Sequence, residues 1–203
     1  GDRVSHEPWR SAAALHWELE ETYEGREAEK LAHVAWQNGL NSIESSAAGR
    51  LFDAAANMLG LAHTTSYEGE APMRLEAIAE DVASDDSLPL LLEENGLLRI
   101  DWSPILEAMK NDQQSVAFRA GYLHVLMANT VVAVASRFKA THNIDYVGLS
   151  GGVFQNRRLS ELVVNGLQSA GIQHRLHKSV PANDGGISYG QIIEYSALHE
   201  HLD

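Results

Sequence analysis

The C-terminal part of the chain repeats one local plan twice, and that repetition limits the folds open to it. Residues 145–149, Asp-Tyr-Val-Gly-Leu, read as a strand, and Ser150-Gly151-Gly152 turns the chain. Leu159, Leu162, Val163, Gly166, Leu167 and Ala170 then fall at helical spacing up to Gly171. Residues 172–177 read as the next strand, Asn183-Asp184-Gly185-Gly186 as the next turn, and residues 187–198 as a final helix. Strand, turn, helix, strand, turn, helix predicts parallel strands joined by a crossover helix, because a parallel pair cannot be closed by a tight hairpin. The expected class is therefore α/β.

The preceding residues are helical in character. Pro8 suits the first turn of a helix over 9–20. A second helix is expected over 26–38 with Gly39 as its stop. A third follows Ser46, its apolar set being Ala48, Leu51, Phe52, Ala55, Met58 and Leu59, and ends at Gly60. After a loop over 61–67, a fourth helix is expected over 69–82. Two short apolar runs around Asn95-Gly96 predict a hairpin within 88–100. The longest helix comes next, with Asp112 as its expected N-cap and a stripe from Val116 to Phe138 that reads as core. The chain thus divides into a helical part over 1–85 and an α/β part over 86–203.

Charge and composition exclude several function classes. Residues 1–100 carry 19 acidic and 7 basic side chains, residues 101–203 carry 9 and 8, and the net charge of the whole is −13. A non-specific grip on nucleic acid or on an anionic membrane is not expected of such a surface. Cysteine is absent. That excludes a disulfide framework, a thiolate zinc site and a cysteine nucleophile within these residues. No stretch reads as a targeting or membrane-spanning segment, so the expected location is cytoplasmic.

Four segments can carry chemistry. Ligands of open α/β sheets collect at the carboxyl ends of strands, beside helix N-termini. Both glycine turns are expected there. Gly151 and Gly152 lack a Cβ and permit close approach of a ligand to the backbone, and Asn156 can bond a sugar hydroxyl or a base edge. The plain alternative is a tight turn with Asn156 as a cap. Asp184 can ligate a cation that faces phosphates, or can simply cap a helix. In the third segment, Ser45 to Asp53, Asp53 can hold ribose hydroxyls if it faces a cleft. Arg50 can meet a phosphate or sit in solvent. The fourth, Ser66-Tyr67-Glu68-Gly69-Glu70, is by itself a turn opening a helix. Ten histidines give no His-x-x-x-His pair, and most are expected at the surface.

Taken in order, these segments resemble a known family. His6-Glu7-Pro8-Trp9-Arg10, the run from Ser45 to Ala54, Ser66 to Ala71, Gly148 to Arg157 and Val180 to Ile187 are similar to the C-terminal part of the hydrogenase-maturation carbamoyltransferase HypF. The resemblance covers nearly the whole chain, and its specificity lies in the ordered combination. It implies one lobe of a Kae1-like, actin-type (ASKHA) ATPase fold, with a short sheet and crossover helices. It implies use of carbamoyl phosphate and ATP to form carbamoyl adenylate. The carbamoyl group then passes to the C-terminal cysteine of the partner HypE, for the cyanide ligands of nickel–iron hydrogenase. By the same resemblance Asp53 is the ribose-binding acid, Glu68 and Gly69 line the nucleotide, and Gly151, Gly152 and Asn156 form the adenosine motif. Asp184 is a ligand of a divalent metal. Related threonylcarbamoyl transferases carry Glu where this chain has Arg50, which favours the HypF branch.

The paired metal histidines of the first lobe, and the acylphosphatase-like, zinc-finger and YrdC-like modules, have no counterpart in these residues. Zinc belongs only to those absent modules. The expectation is a second lobe that depends on the missing N-terminal lobe and is inactive alone. Two other readings stay open: a non-catalytic protein-interaction module, and an actin-fold kinase lobe for a small molecule.

Overall fold

The computed structural model describes residues 2–23, 27–93, 95–142 and 144–199. It is a helix-rich α/β structure with two small two-stranded sheets. The chain divides into two compact units, Gly1–Met127 and Ala128–Asp203.

In the first unit, helix α3 (Gly49–Met58) packs against α1 (Trp9–Glu18), α4 (Glu70–Ile78) and α5 (Ser103–Lys110). Ala54, Ala55 and Ala56 of α3 are completely buried, and their small side chains let neighbouring helices come close. Phe52 is buried beside them, with its ring edge-to-face with that of His124 at 5.3 Å. Truncating a fully buried Phe costs about 3–5 kcal/mol, so Phe52→Ala is expected to unfold this unit at a markedly lower temperature in a thermal melt. Trp9, Ala13 and Trp17 of α1 form a second cluster, against which Trp36 of α2 (Glu27–Gln37) packs. Glycines stop the helices as expected. Gly39 and Gly60 have φ of 65° and 75°, and Leu61 N–H donates to Ala56 O at 2.9 Å to close α3. Arg26, expected to begin α2, lies outside the described residues.

The hairpin is present as β1 (Leu90–Leu92) antiparallel to β2 (Leu98–Ile100), with Leu91 opposite Arg99. Asn95 Oδ1 accepts from Leu97 N–H at 2.7 Å, and Gly96 has φ 83°. Three expectations are corrected. Helix α4 ends at Ile78, not near Val82, because the chain leaves it to cross the long helix α6 (Val116–Thr141): Glu80 N–H donates to Ala117 O at 3.2 Å. Helix α5 was not foreseen. Its signal is Asp101-Trp102-Ser103-Pro104, where Asp101 Oδ1 accepts from Ser103 N–H at 2.9 Å and Pro104 occupies the first turn. The side chain capping α6 is that of Ser115, whose Oγ accepts from Phe118 N–H at 2.9 Å, and not that of Asp112.

Helix α6 also qualifies the reading of apolar stretches. By length and composition it could cross a membrane, but half of its most apolar window is buried inside the structure, as in a core helix.

In the second unit, β3 (Val147–Leu149) pairs in parallel with β4 (His174–Leu176), Val147 opposite His174 and Leu149 opposite Leu176. Helix α7 (Arg157–Ser169) makes the crossover and buries Leu159, Val163 and Leu167. Gly171, at φ 65°, ends it, and Ile172 N–H donates to Leu167 O at 2.8 Å. Helix α8 (Ile187–His199) follows the second glycine turn directly.

Candidate functional site

Two clusters hold the residues singled out by sequence, one in each unit.

In the second unit the two glycine turns are joined. Both leave the carboxyl edge of the parallel pair, where Leu149 and Leu176 are opposite one another. Gly151 N–H donates to Ala182 O at 2.8 Å, and His177 Nε2 lies 2.9 Å from Ser150 Oγ. The turns differ in what their glycines are for. At Gly151 the backbone has φ 102° and ψ 152°, a region open only to glycine, and an added Cβ would meet nothing within 4 Å. At Gly152 the nearest atom to such a Cβ is Asn183 Cβ at 3.9 Å. At Gly151 the first turn therefore presents bare backbone with open space over it. At Gly186 a Cβ would lie 2.9 Å from Pro181 O, and at Gly185 it would lie 3.1 Å from Pro181 Cγ. The glycines of the second turn serve packing.

Asn156 is buried, and its Oδ1 accepts from Leu159 N–H at 2.8 Å. It is the N-cap of α7. Asn156→Ala is expected to cost about 1 kcal/mol and Asn156→Asp much less, measurable as melting temperature. The second turn is capped by Asn183, whose Oδ1 accepts from Gly185 N–H at 3.0 Å. Asp184 is exposed, and its backbone O accepts from Ile187 N–H. As an oxygen donor it suits a hard divalent cation, but such ions take at least six ligands. No group of three or more His, Asp or Glu able to hold a metal gathers among the described residues. Asp184 fits as one ligand of a metal and not as a site by itself.

In the first unit, Asp53, Arg50 and Glu68 form one cluster. Arg50 Nη1 lies 2.9 Å from Asp53 Oδ2 and donates to Val4 O at 3.2 Å, while Arg50 Nη2 lies 3.0 Å from Glu68 Oε1. The Asp53 side chain is 6% exposed and that of Glu68 is 72% exposed. Gly69 ends the loop at φ 85° and opens α4. The loop before it is pinned by its successor: Glu70 Oε2 accepts from Ser66 N–H at 2.6 Å, and Arg74 Nη1 donates to Leu61 O at 2.9 Å. The backbone bond from Ser66, together with Arg74, holds the Glu70 carboxyl below its usual range. Sequence reading treated Asp53 and Glu68 as separate signals. It missed that Arg50 bridges them, since 18 residues separate Arg50 from Glu68. A cationic side chain three residues before a buried acid was the available clue.

Burial pushes the Asp53 carboxyl up from 3.8 to about 6; Arg50 opposes this and Glu68 adds to it. The folded state thus favours the protonated acid. Its contribution to stability is complete below the unfolded value near 3.8 and is lost as pH rises through about 6. Asp53→Asn is expected to flatten the fall in melting temperature over that window. Parallel curves for the two proteins would contradict the assignment.

Among the described histidines His124 is the buried one. His124 is completely buried, its Nδ1 2.7 Å from Ala120 O. It packs as part of the core.

Residues 1–191 match the family model described as carbamoyltransferase, Kae1-like domain, second subdomain. The chain belongs to the HypF carbamoyltransferase family. It is 36% identical over 206 residues to the carbamoyltransferase HypF of Rhodobacter capsulatus, covering 98% of this chain and 27% of that protein. It is 34% identical over 210 residues to a HypF homolog of Cupriavidus necator, covering 94% and 53%. The chain therefore spans about a quarter to a half of the length of these HypF relatives. A crystal structure of full-length HypF in the phosphate- and nucleotide-bound form superposes with a TM-score of 0.81 at 24% identity, over 98% of this chain and 28% of that one. The T. kodakarensis HypF crystal structure gives 0.76 at 25% identity. These neighbours establish the fold as that of the Kae1-like, actin-type domain of HypF.

Proposed function

We propose that this chain supplies one side of an adenine-nucleotide site in a carbamoyltransferase that consumes carbamoyl phosphate and ATP. The observation that carries the reading is the open, Cβ-less backbone at Gly151, beside Gly152, at the carboxyl edge of a parallel pair, in a chain of the HypF family. A flat aromatic base or a phosphate can approach such backbone closely.

In this reading Gly151, Gly152 and Asn156 border the adenosine. In the first unit, Asp53, Glu68 and Gly69 carry the ribose-binding and nucleotide-lining roles that the family resemblance implies, and Arg50 holds the two carboxylates at fixed spacing. Water first cleaves carbamoyl phosphate, releasing inorganic phosphate and carbamate; a carbamate oxygen then attacks the α-phosphorus of ATP, the bond to the β-phosphate oxygen breaks, and pyrophosphate leaves. The product is carbamoyl adenylate. A thiolate, the C-terminal cysteine of HypE, then takes the carbamoyl carbon and AMP leaves. Asp184 would give one oxygen ligand to a divalent cation, whose chemistry is to neutralise phosphate charge. The remaining ligands would come from the first lobe. Fixed dipoles of the turns and helix N-termini favour the same charge without reorganising.

A lobe with part of the site binds nucleotide weakly and turns nothing over. The test is carbamoyl-phosphate-dependent exchange between ATP and pyrophosphate. None is expected from this polypeptide alone, and exchange above a no-protein control would refute the account of divided ligands.

A further inference from the structure

Strands β3 and β4 each stop one step before a side chain that can move a proton. Leu149 pairs with Leu176, so the next residues, Ser150 and His177, leave the ladder together at its carboxyl edge. Ser150 Oγ lies 2.9 Å from His177 Nε2, and both residues are exposed. A hydroxyl held by its base has this spacing, about 2.6–3.2 Å. In the tautomer protonated at Nδ1, the Ser150 hydroxyl donates to Nε2. The open backbone of Gly151 follows Ser150 directly. Other polar side chains of the two turns do different work. Asn156 and Asn183 are amides engaged as caps, and Asp184 suits a cation. Imidazole is the side chain that exchanges a proton near neutral pH.

The second step of the reaction proposed above needs such a group, and the inference rests on that reading. A cysteine attacks as its thiolate, and a free thiol with a pKa of about 8.5 is only about 3% ionised at pH 7. We propose that Ser150 and His177 form the proton relay for carbamoyl transfer. As the sulfur–carbon bond forms, the thiol proton passes to Ser150 Oγ and the proton of Ser150 passes to His177 Nε2. The bond from the carbamoyl carbon to the α-phosphate oxygen breaks, and AMP leaves with the electron pair. The exposed imidazolium then gives its extra proton to water. Ser150 is the catalytic residue, because it meets the thiol. His177 acts through Ser150. Formation of the adenylate releases no thiol proton and does not use the relay.

The two half-reactions separate the relay from the nucleotide site. Both are measured in a chimera, the full-length Rhodobacter capsulatus relative with its matching stretch replaced by this chain. His177→Gln keeps a group able to bond Ser150 but takes no proton. At pH 7 it should slow carbamoyl transfer to HypE at least about tenfold, within the roughly thirtyfold that a thiol about 3% ionised allows. At pH 9 the thiol ionises unaided, and the loss should shrink to about twofold or less. Ser150→Ala should show the same dependence on pH. Carbamoyl-phosphate-dependent exchange between ATP and pyrophosphate should stay within about threefold in His177→Gln at both pH values. Equal transfer rates at pH 7 would overturn the relay. So would a loss that does not change with pH, or one matched by an equal loss of exchange, since either marks a structural tie between the turns. No exchange in the unsubstituted chimera would sink the nucleotide reading itself, and the relay with it. Should that chimera not fold, the Cupriavidus necator homolog takes its place as host.

Discussion

Gly121→Ala is expected to destabilise the first unit by about 2 kcal/mol or more, a fall in melting temperature of about 4–8 °C for a chain of this size. Gly121 lies in the interior of α6, where glycine is normally a cost and alanine would gain up to about 1 kcal/mol in helix propensity. The surroundings reverse the sign. A Cβ there would lie 2.1 Å from the carbonyl oxygen of Glu80, 3.2 Å from its carbonyl carbon and 3.0 Å from Val82 Cγ2. The obstacle is backbone, so no rotamer change relieves it. The chain after α4 must move away, and with it the bond from Glu80 N–H to Ala117 O. Gly190→Ala is the control. It lies in α8 with nothing within 4 Å of its Cβ position, and alanine there should stabilise slightly. Equal melting temperatures for the two variants would show that the crossing at Gly121 is not as described.

Gly151→Ala is expected to act on binding as well as on stability. A non-glycine residue at φ 102° and ψ 152° carries strain of about 1–3 kcal/mol. The turn relieves that strain by rotating, which breaks the bond from Gly151 N–H to Ala182 O and separates the two glycine turns. The added methyl also stands in the open space above the backbone. Nucleotide affinity should fall at least about tenfold, since about 1.4 kcal/mol is already that factor. Gly148→Ala sits in β3 with an equally empty Cβ position and no positive φ. It should leave affinity within about twofold, because a β position outside the turn tolerates alanine. Titration of a fluorescent ATP analogue into the full-length Rhodobacter capsulatus relative, with its matching stretch replaced by this chain, reads both.

The features legible in the sequence are those set by neighbours in the chain. The stop of α7 at Gly171, the Asn95-Gly96 hairpin and the parallel β3–β4 pair follow from local turn chemistry and short periodicities, and all are present. The end of α4 was not legible. Residues 79–82 are compatible with helix, and only a distant helix, presenting Gly121, draws them away. Helix α5 was hidden because its eight residues are shorter than the windows in which periodicity stands out. At the site, the two glycine turns look alike as sequence. Their difference, open backbone at Gly151 and packed backbone at Gly186, depends on Pro181 and on the register of strands far apart in the chain. Arg50 was left between solvent and phosphate because its second partner, Glu68, is reached through the loop after α3.

The most direct test of the nucleotide reading is to record amide shifts of the 203-residue chain as ATP is raised to millimolar concentration. The account predicts fast-exchange shifts concentrated at 150–156 and 183–187, and their loss in Gly151→Ala. Shifts confined to the open hollow lined by Pro104, Lys110, Phe118 and Tyr122, or none that saturate, would contradict it.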